Sequence, residues 1–292
     1  MDMTKFNTYV QGAIDQYDFP QSYELIGRKF EFALDDGTDY TINFINQTTV
    51  EWTLDSGEPQ KAFNYLCVKG DDTTYLVSYD LLDSVFRTNH TWVIDLENWL
   101  VTRVLSVIGD HPKYKYLIRP QYEFGAIRRE GVELTVYPRH GFTSDLVGTI
   151  VQWYYGSEMV TVHVYYCTNY YRITYPPERR ASRTFNEALR KVPSSDEPTA
   201  YIKIKDGMYL FSLTESNMEK ILQDEGMRHR SNTMAFLQNY KRVYQVGRSF
   251  GTTMVDGKPT NLHKTFGAFG RLLQPTEDYI LKMLDDPNPY II

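Results

Sequence analysis

Apolar and polar residues alternate one by one along most of this chain. The runs TYLVSY at 74–79 and MYLFSL at 208–213 show the pattern clearly. A period of two is typical of β-strands. The Asp-Gly pairs at 36–37 and 206–207 are typical of tight hairpin turns. The pattern therefore predicts six to eight short antiparallel strands in each half of the chain, arranged as a sandwich or a closed up-and-down barrel.

Short sequence matches recur in the same order in the two halves. Four pairs of segments match: 74–79 with 208–213, 87–89 with 230–232, 96–99 with 237–240, and 124–126 with 266–268. The opening segments align less tightly, 26–27 with 147–148 and 41–44 with 161–164. A fixed order of matches indicates an internal duplication. A barrel of about eight strands leaves an interior wide enough for one small ligand.

Turn residues and composition shifts suggest the domain limits. We expect an N-terminal helix or extension over 1–22, a first barrel over 23–130, a linker over 131–145, a second barrel over 146–273 and a tail over 274–292. Short helices are predicted at 4–17, 185–192, 215–225 and 275–283. The segment 176–198 holds four prolines and several arginines and serines. It is predicted to be a long surface insertion.

Composition narrows the possible partners. The 292 residues carry a formal net charge of -6, and no dense Lys/Arg run provides the basic face that phosphate binding needs. No apolar stretch approaches the roughly 20 residues that cross a bilayer. We expect a cytoplasmic protein without nucleic-acid or membrane partners, and its tyrosine-rich surface is compatible with a homodimer. The 24 tyrosines favour sheet, and some of them suit the walls of a pocket for a small hydrophobic or aromatic metabolite.

The usual cofactor and nucleophile signatures are missing from the sequence. It contains no glycine-rich nucleotide loop, no GxSxG elbow and no HExxH pair. The six histidines lack the spacing of metal ligands, and the two cysteines do not form a metal clip. We therefore predict neither a cofactor nor a metal site.

Two residues are candidates for acid–base chemistry. In 160–166, alternation places His163 and Tyr165 on one face. The pattern slightly favours an outward, solvated His163, whereas the functional alternative places it inside the barrel. Glu215 ends a strand whose Tyr209 and Phe211 share its face. A desolvated acid there would be suited to proton transfer.

Other side chains are candidates for holding a ligand. Tyr165, Tyr170 and Tyr171 offer phenolic groups, and Trp153, Tyr209 and Phe211 offer aromatic walls. Arg87 and Arg230 each precede an Asn by two residues, which indicates a structural hydrogen-bond network or, alternatively, a fork for a substrate carboxylate.

Several of these segments resemble the MoaF family. Residues 27–30 (GRKF), 35–37 (DDG), the spacing from Phe44 to Trp52, and 75–77 (YLV) resemble its N-terminal domain. Residues 162–165 (VHVY), 208–215 (MYLFSLTE) and 267–268 (GA) are similar to its C-terminal domain. Leu213 stands where that family usually has Trp. The resemblance implies two tandem antiparallel lipocalin-like (calycin) β-barrels with few short helices. That fold is similar to the phenolic acid decarboxylases, cofactor-free barrels with Tyr, Arg and Glu in the cavity.

These features leave two hypotheses about function. The first is a cofactor-independent lyase or isomerase, cyclases included, in which His163 or Glu215 moves a proton inside the second barrel. In that hypothesis Arg230 holds an anionic group, and the first barrel is a scaffold in which Asn43 replaces His163. The second hypothesis is a non-catalytic carrier of a small hydrophobic ligand.

Overall fold

The computed structural model describes residues 19–81, 88–109, 118–134, 136–156, 159–175, 194–217, 231–255 and 258–274. All eighteen elements defined within these residues are β-strands, and they form two nine-stranded sheets. The chain divides into two compact units. The first unit comprises Pro20–Phe142 and Ile202–Leu210, and the second comprises Phe19, Thr143–Tyr201 and the described residues from Phe211 onward.

The first sheet is an antiparallel ring. Its strands are β1 (Lys29–Leu34), β2 (Asp39–Phe44), β3 (Thr49–Leu54), β4 (Gln60–Phe63), β5 (Leu66–Lys69), β6 (Thr74–Leu81), β7 (Thr88–Asp95), β8 (Leu100–Ile108) and β9 (Ile118–Ile127). Their order is β4-β3-β2-β1-β9-β8-β7-β6-β5. The two ends of the sheet, β4 and β5, are consecutive in the chain and separated only by residues 64–65, with Asn64 at φ 57°. The chain therefore runs directly from β4 into β5 and closes the ring. These two short strands together occupy one of eight positions around the barrel.

The second sheet closes by hydrogen bonding. Its strands are β10 (Gly141–Phe142), β11 (Ile150–Tyr154), β12 (Val160–Val164), β13 (Tyr170–Thr174), β14 (Ser195–Lys205), β15 (Met208–Thr214), β16 (Ser231–Asn239), β17 (Tyr244–Val255) and β18 (Lys258–Leu272). Their order is β10-β14-β13-β12-β11-β18-β17-β16-β15, and β15 also pairs with β14. Eight strands therefore form a closed barrel. The single strand β14 stands where the first unit has β4 and β5, and the prediction of two tandem barrels is confirmed.

The predicted hairpin turns form where the sequence places them. Gly37, between β1 and β2, has φ 92°, and Gly207, between β14 and β15, has φ 72°. Glycine adopts this left-handed region without steric cost. The Asp36 carboxylate accepts a hydrogen bond from the Thr38 backbone N–H at 2.9 Å, which fixes the first turn.

The prediction of a surface insertion over 176–198 is wrong for residues 194–198. Ser195 and Glu197 are buried on β14, because they pair with Ile173 and Tyr171 of β13. Residues 176–193 lie outside the described part of the chain. So do the predicted helices at 4–17, 185–192 and 275–283, while the one at 215–225 is described only as far as Asn217.

Backbone hydrogen bonds give the correct alignment of the opening strands in the two copies. The Gly27 N–H donates to the Phe44 carbonyl, and the Gly148 N–H donates to the Tyr165 carbonyl, both at 2.7 Å. Phe44 is therefore equivalent to Tyr165. It follows that His163 corresponds to Ile42, and the predicted equivalence with Asn43 is wrong. The short match of 41–44 with 161–164 is one residue out of register, which exchanges the two faces of a strand.

The closing strands show the same slip. Trp99 and Val243 both have left-handed backbones, at φ 57° and 50°. Their carbonyls accept hydrogen bonds from the Ile127 and Gly270 N–H groups at 2.8 and 2.7 Å. The matched segments 124–126 and 266–268 are consequently one residue apart in the structure. The duplication is confirmed by topology, although some of its sequence matches join residues on opposite faces.

Candidate functional site

His163 lies inside the second barrel, among aromatic rings. It pairs with Val151 of β11 and Ile173 of β13, and only 1% of its surface is exposed. Its ring centroid lies 4.9 Å from that of Tyr171 and 5.7 Å from that of Phe211. The interpretation of His163 as an outward, solvated residue is wrong. Both faces of β12 are buried, so alternation could not identify the inner one.

The Tyr165 hydroxyl is the centre of a hydrogen-bond network. It accepts from the Trp153 indole Nε1–H at 3.2 Å and from the Gln238 amide Nε2–H at 2.8 Å. The His163 Nδ1 lies 3.3 Å from the same oxygen. Burial raises the pKa of Tyr165, and the donated hydrogen bonds oppose that rise only in part. The hydroxyl thus keeps its proton at physiological pH.

The hydrogen bonds of Tyr165 bear on the tautomer of His163. Trp153 and Gln238 donate to the Tyr165 oxygen, which leaves the hydroxyl hydrogen for a neighbouring acceptor. When that acceptor is His163 Nδ1, the neutral imidazole carries its hydrogen on Nε2. Nε2 is buried and has no hydrogen-bond partner among the described residues. The interior therefore presents one imidazole nitrogen that lacks a partner.

His163 stays uncharged. Burial lowers its pKa to about 3, because the imidazolium form cannot be solvated in this interior. A neutral imidazole of this kind is a weak base, but its N–H can polarise a carbonyl oxygen of a ligand.

The network continues across the barrel to Tyr155. Gln238 Nε2 donates to Gln245 Oε1 at 2.9 Å, and Gln245 Nε2 donates to the Tyr155 hydroxyl at 2.8 Å. Burial, then the neighbouring Tyr165, raises the pKa of Tyr155. Gln238 Oε1 also accepts from the Tyr240 hydroxyl at 3.3 Å, so both amides use their oxygen and their nitrogen. The path holds the Tyr165 hydroxyl in place against His163.

Glu215 lies at the end of β15 on the same face as Phe211, and it is partly exposed. Its Oε2 accepts from Asn232 Nδ2 at 2.9 Å, and Asn232 Oδ1 accepts from the Ser249 hydroxyl at 3.0 Å. Burial raises the pKa of Tyr171 well above its usual value, and the charges of Glu197 and Glu215 add to that effect. Glu215 is thus electrostatically coupled to the ring that packs on His163.

The other predicted ligand-binding residues divide into two groups. Trp153 and Phe211 are fully buried beside His163 and Tyr165. Tyr170 and Tyr171 are consecutive on β13, so only one of them can point inward. That residue is Tyr171, while Tyr170 lies partly exposed on the opposite face.

The remaining candidates for ligand binding are Tyr209, Arg87 and Arg230. Tyr209 is buried and belongs to the segment Ile202–Leu210 of the first unit. Arg87 and Arg230 lie outside the described residues.

The sequence did not single out Glu197, a fully buried carboxylate of the second barrel. Its Oε1 accepts from the Ser195 hydroxyl at 2.7 Å, and its Oε2 accepts from the Asn217 backbone N–H at 2.9 Å and the Ser216 hydroxyl at 3.2 Å. These donors make it a structural anchor for the start of β14. It was missed because it lies in the segment that was predicted to be a surface insertion.

The first barrel also encloses polar chemistry that the sequence analysis missed. Arg103 of β8 forms an ion pair with Glu123 of β9 and donates to the Tyr40 hydroxyl. Its guanidinium carbon lies 4.5 Å from the centroid of the Tyr40 ring. His90 stacks on Tyr79 with centroids 5.2 Å apart. The available signal was a single arginine within the apolar run 100–108.

Two general observations concern metals and membranes. Within the described ranges, no three His, Cys, Asp or Glu side chains converge as metal ligands. In the same part of the chain, no helix has the length and apolar character to cross a bilayer.

Comparison with known proteins gives one family. Residues 5–110 match the model of the MoaF N-terminal domain. The match runs through β8 and ends before β9, the strand that joins β1 to β8. No curated protein matches this sequence. The match over residues 5–110, together with a barrel fold that suits that family, confirms the resemblance of this chain to the MoaF family.

Proposed function

We propose that the second barrel is the site of a cofactor-independent lyase or isomerase, cyclases included, that acts on a small hydrophobic or aromatic metabolite. The observation that carries the proposal is the unpartnered Nε2 of His163, which is buried among aromatic rings. An unsatisfied buried donor costs about 1–3 kcal/mol, and a ligand oxygen would remove that cost. Lipocalin-like barrels commonly hold ligands of this size.

The chemistry assigns a separate role to each group. A ligand carbonyl accepts the hydrogen bond from His163 Nε2, which stabilises negative charge on the oxygen as in an oxyanion hole. Glu215 removes a proton from the carbon next to that carbonyl, and the C–H electron pair moves into the enolate. When the substrate carries a β,γ double bond, the enolate is a dienolate, and return of the proton to its γ-carbon shifts the double bond and completes an isomerisation with no oxidant or reductant required. Tyr165 keeps His163 in the required tautomer.

The aromatic residues around His163 determine which substrates fit the second barrel. Trp153, Tyr171 and Phe211 provide flat apolar walls, which suit an aromatic or conjugated skeleton. The interior carries no charge at His163, so an uncharged or weakly polar substrate enters at the lowest desolvation cost. The proposed setting is the cytoplasm, without nucleic-acid or membrane partners.

Exchange of substrate hydrogen for solvent deuterium tests this reaction. A panel of small phenolic ketones, enones and phenolic acids is incubated with the protein in D₂O, and loss of the signal next to the carbonyl is followed by proton NMR. We expect exchange with at least one class of carbonyl compound. Glu215→Gln should reduce the rate by about 10²-fold or more, which is typical of a lost general base.

Two His163 variants separate donation from packing. His163→Phe removes the N–H and keeps a ring, so both exchange and affinity should fall. His163→Gln can still donate and should retain more activity than the Phe variant. His90→Phe in the first barrel is the matched control and should leave exchange unchanged. Saturable binding without any exchange, equal in the wild type and Glu215→Gln, would contradict the enzyme and support a carrier of small hydrophobic ligands.

A further inference from the structure

The interior of the first barrel contains an independent group of buried polar atoms. Trp52, His90 and Arg103 face inward, and each exposes no more than 6% of its surface. The ring centroids of Trp52 and His90 are 5.6 Å apart, and those of Trp52 and Tyr40 are 6.1 Å apart. These aromatic rings and the guanidinium therefore lie close together in one part of the interior.

Three polar atoms of this region have no hydrogen-bond partner among the described residues. They are Trp52 Nε1, His90 Nδ1 and Arg103 Nε. Two of them, the indole and guanidinium N–H groups, are donors only. Each such buried donor without an acceptor is unfavourable, and native proteins rarely leave several together unless something binds them. The region is therefore suited to a ligand with oxygen acceptors.

The charges of the region determine which acceptor fits. The Arg103 charge is already neutralised by Glu123, whose side chain is 23% exposed. His90 is neutral, since burial and then the nearby Arg103 lower its pKa to about 3. A carboxylate ligand would add an uncompensated buried negative charge, which is costly. A carbonyl oxygen accepts the same hydrogen bonds without that cost.

The equivalent positions of the second barrel do not form such a region. Register places Ile173 at the position of Trp52, Met234 at that of His90 and Gly247 at that of Arg103. None of these replacements offers a polar side-chain nitrogen. The region is therefore peculiar to the first barrel and independent of the function proposed for the second.

We propose that the interior of the first barrel is a second ligand site, which binds a small, planar, uncharged molecule through carbonyl oxygens that face Trp52, His90 and Arg103. The Tyr40, Trp52 and Trp92 rings supply the flat walls. Trp52 and Arg103 donate to the ligand oxygens, and Glu123 holds the guanidinium in position.

Indole resonances of the full-length protein test this site directly. The chain has four tryptophans, so a ¹⁵N-labelled sample gives four Nε1–H signals, and single Trp→Phe variants assign them. Coumarin and chromone serve as uncharged planar carbonyl probes, and cinnamate serves as an anionic probe of similar size. We expect coumarin or chromone to shift the Trp52 signal saturably, with at least tenfold weaker binding of cinnamate.

A variant isolates the hydrogen bond. Trp52→Phe keeps a ring and removes the N–H. Followed at the Trp92 signal, it should weaken the binding of coumarin or chromone about tenfold, as expected for one lost hydrogen bond. Trp153→Phe in the second barrel is the control and should leave this binding unchanged. If Trp52→Phe fails to fold, the signals assigned from the other three variants still identify Trp52 in the wild type.

The possible outcomes are distinct. A saturable shift at Trp52 supports the site, whether or not the second barrel catalyses a reaction. Shifts confined to the Trp153 signal, preferential binding of cinnamate, or no saturable shift at Trp52 with either uncharged probe at millimolar concentration would each overturn the proposal.

Discussion

The two barrels have the same strand arrangement but bury their polar side chains in different layers of the interior. A layer, or level, is the set of inward-facing residues at one height along the barrel axis. The second barrel has a polar network at positions where the first has apolar residues: Trp153, His163, Tyr165, Gln238 and Gln245 replace Phe32, Ile42, Phe44, Ile94 and Val101. At the neighbouring level it is the first barrel that carries the polar and aromatic groups. The second barrel has Thr161, Ile173, Met234, Gly247 and Phe266 in place of Tyr40, Trp52, His90, Arg103 and Glu123.

This difference shows that a barrel can be conserved in topology while its interior chemistry moves. Hydrogen-bonded ladders and left-handed turns determine the ring of strands, and they depend little on which side chains face inward. Most polar groups of each interior are paired with one another, because a buried unpaired group costs more than an apolar one. The exceptions among the described residues include His163 Nε2 in the second barrel and the Trp52, His90 and Arg103 nitrogens in the first, on which the two proposed sites rest.

The largest expected effect is that of pH, and it should arise in both barrels. The pKa of His90 and that of His163 are both about 3 in the folded protein, against about 6.5 for an unfolded histidine. Above pH 6.5 both states are neutral and stability is unaffected. As pH falls from 6.5 toward 3, only the unfolded state gains protons, so stability is lost. At pH 5 the loss is about 2 kcal/mol for each histidine.

Single substitutions separate the two contributions. His90→Phe and His163→Phe should each remove about 2 kcal/mol of the fall in the free energy of unfolding between pH 7.5 and 5, measured by urea denaturation. His263, whose pKa burial also lowers to about 3, should account for a similar part of that fall. A slope that neither substitution changes would show that the barrels do not bury neutral histidines.

The next effect concerns backbone spacing in the second barrel. Gly247 stands where the first barrel has Arg103, and a Cβ atom there would lie 2.0 Å from the Ala235 carbonyl oxygen. Gly247→Ala should lower the free energy of unfolding by about 3 kcal/mol, since the backbone of two paired strands must shift. Gly141→Ala, where a Cβ meets nothing within 4 Å, is the control and should change stability by less than about 0.5 kcal/mol. Equal effects of the two substitutions on stability would refute the close approach of the β16 backbone to Gly247.

A smaller effect is expected at the ion pair of the first barrel. Arg103→Met leaves Glu123 without its partner and should cost about 2 kcal/mol, reduced from the value of a fully buried pair because Glu123 is partly exposed. The double variant Arg103→Met with Glu123→Leu should recover most of that loss, since it imitates the apolar level of the second barrel. Thermal and urea unfolding of the two single variants, Arg103→Met and Glu123→Leu, and of the double variant measure the coupling between the two side chains. Strict additivity would mean that the pair contributes nothing.

The smallest effect comes from exchanging equivalent residues between the barrels. Tyr165→Phe removes an oxygen that serves Trp153, Gln238 and His163, while Phe44→Tyr adds a hydroxyl to an apolar level. Each should cost about 1–2 kcal/mol. Phe30→Leu, also inside the first barrel, controls for general loss of packing. If Tyr165→Phe were neutral while Phe44→Tyr was destabilising, the network around His163 would have no structural role.

The sequence determined the class of fold, because alternation and hairpin turns depend only on neighbouring residues. The Asp-Gly turns at 36–37 and 206–207, the strands around them and the duplicated order were all predicted correctly. Local physics suffices for these features: a β-strand exposes alternate residues, and glycine alone adopts the left-handed turn at little cost.

Only the tertiary structure decided which face of each strand is the inner one. Both faces of β12 are buried, so the same alternation is compatible with His163 inside or outside. Short matches such as 41–44 with 161–164 could not reveal a slip of one residue, although such a slip reverses every side chain. The meeting of Arg103 with Glu123 and Tyr40, and of His163 with Tyr165 and Gln238, depends on closure of the ring. Closure brings together residues that are distant along the chain, and the local sequence pattern carries no record of those contacts.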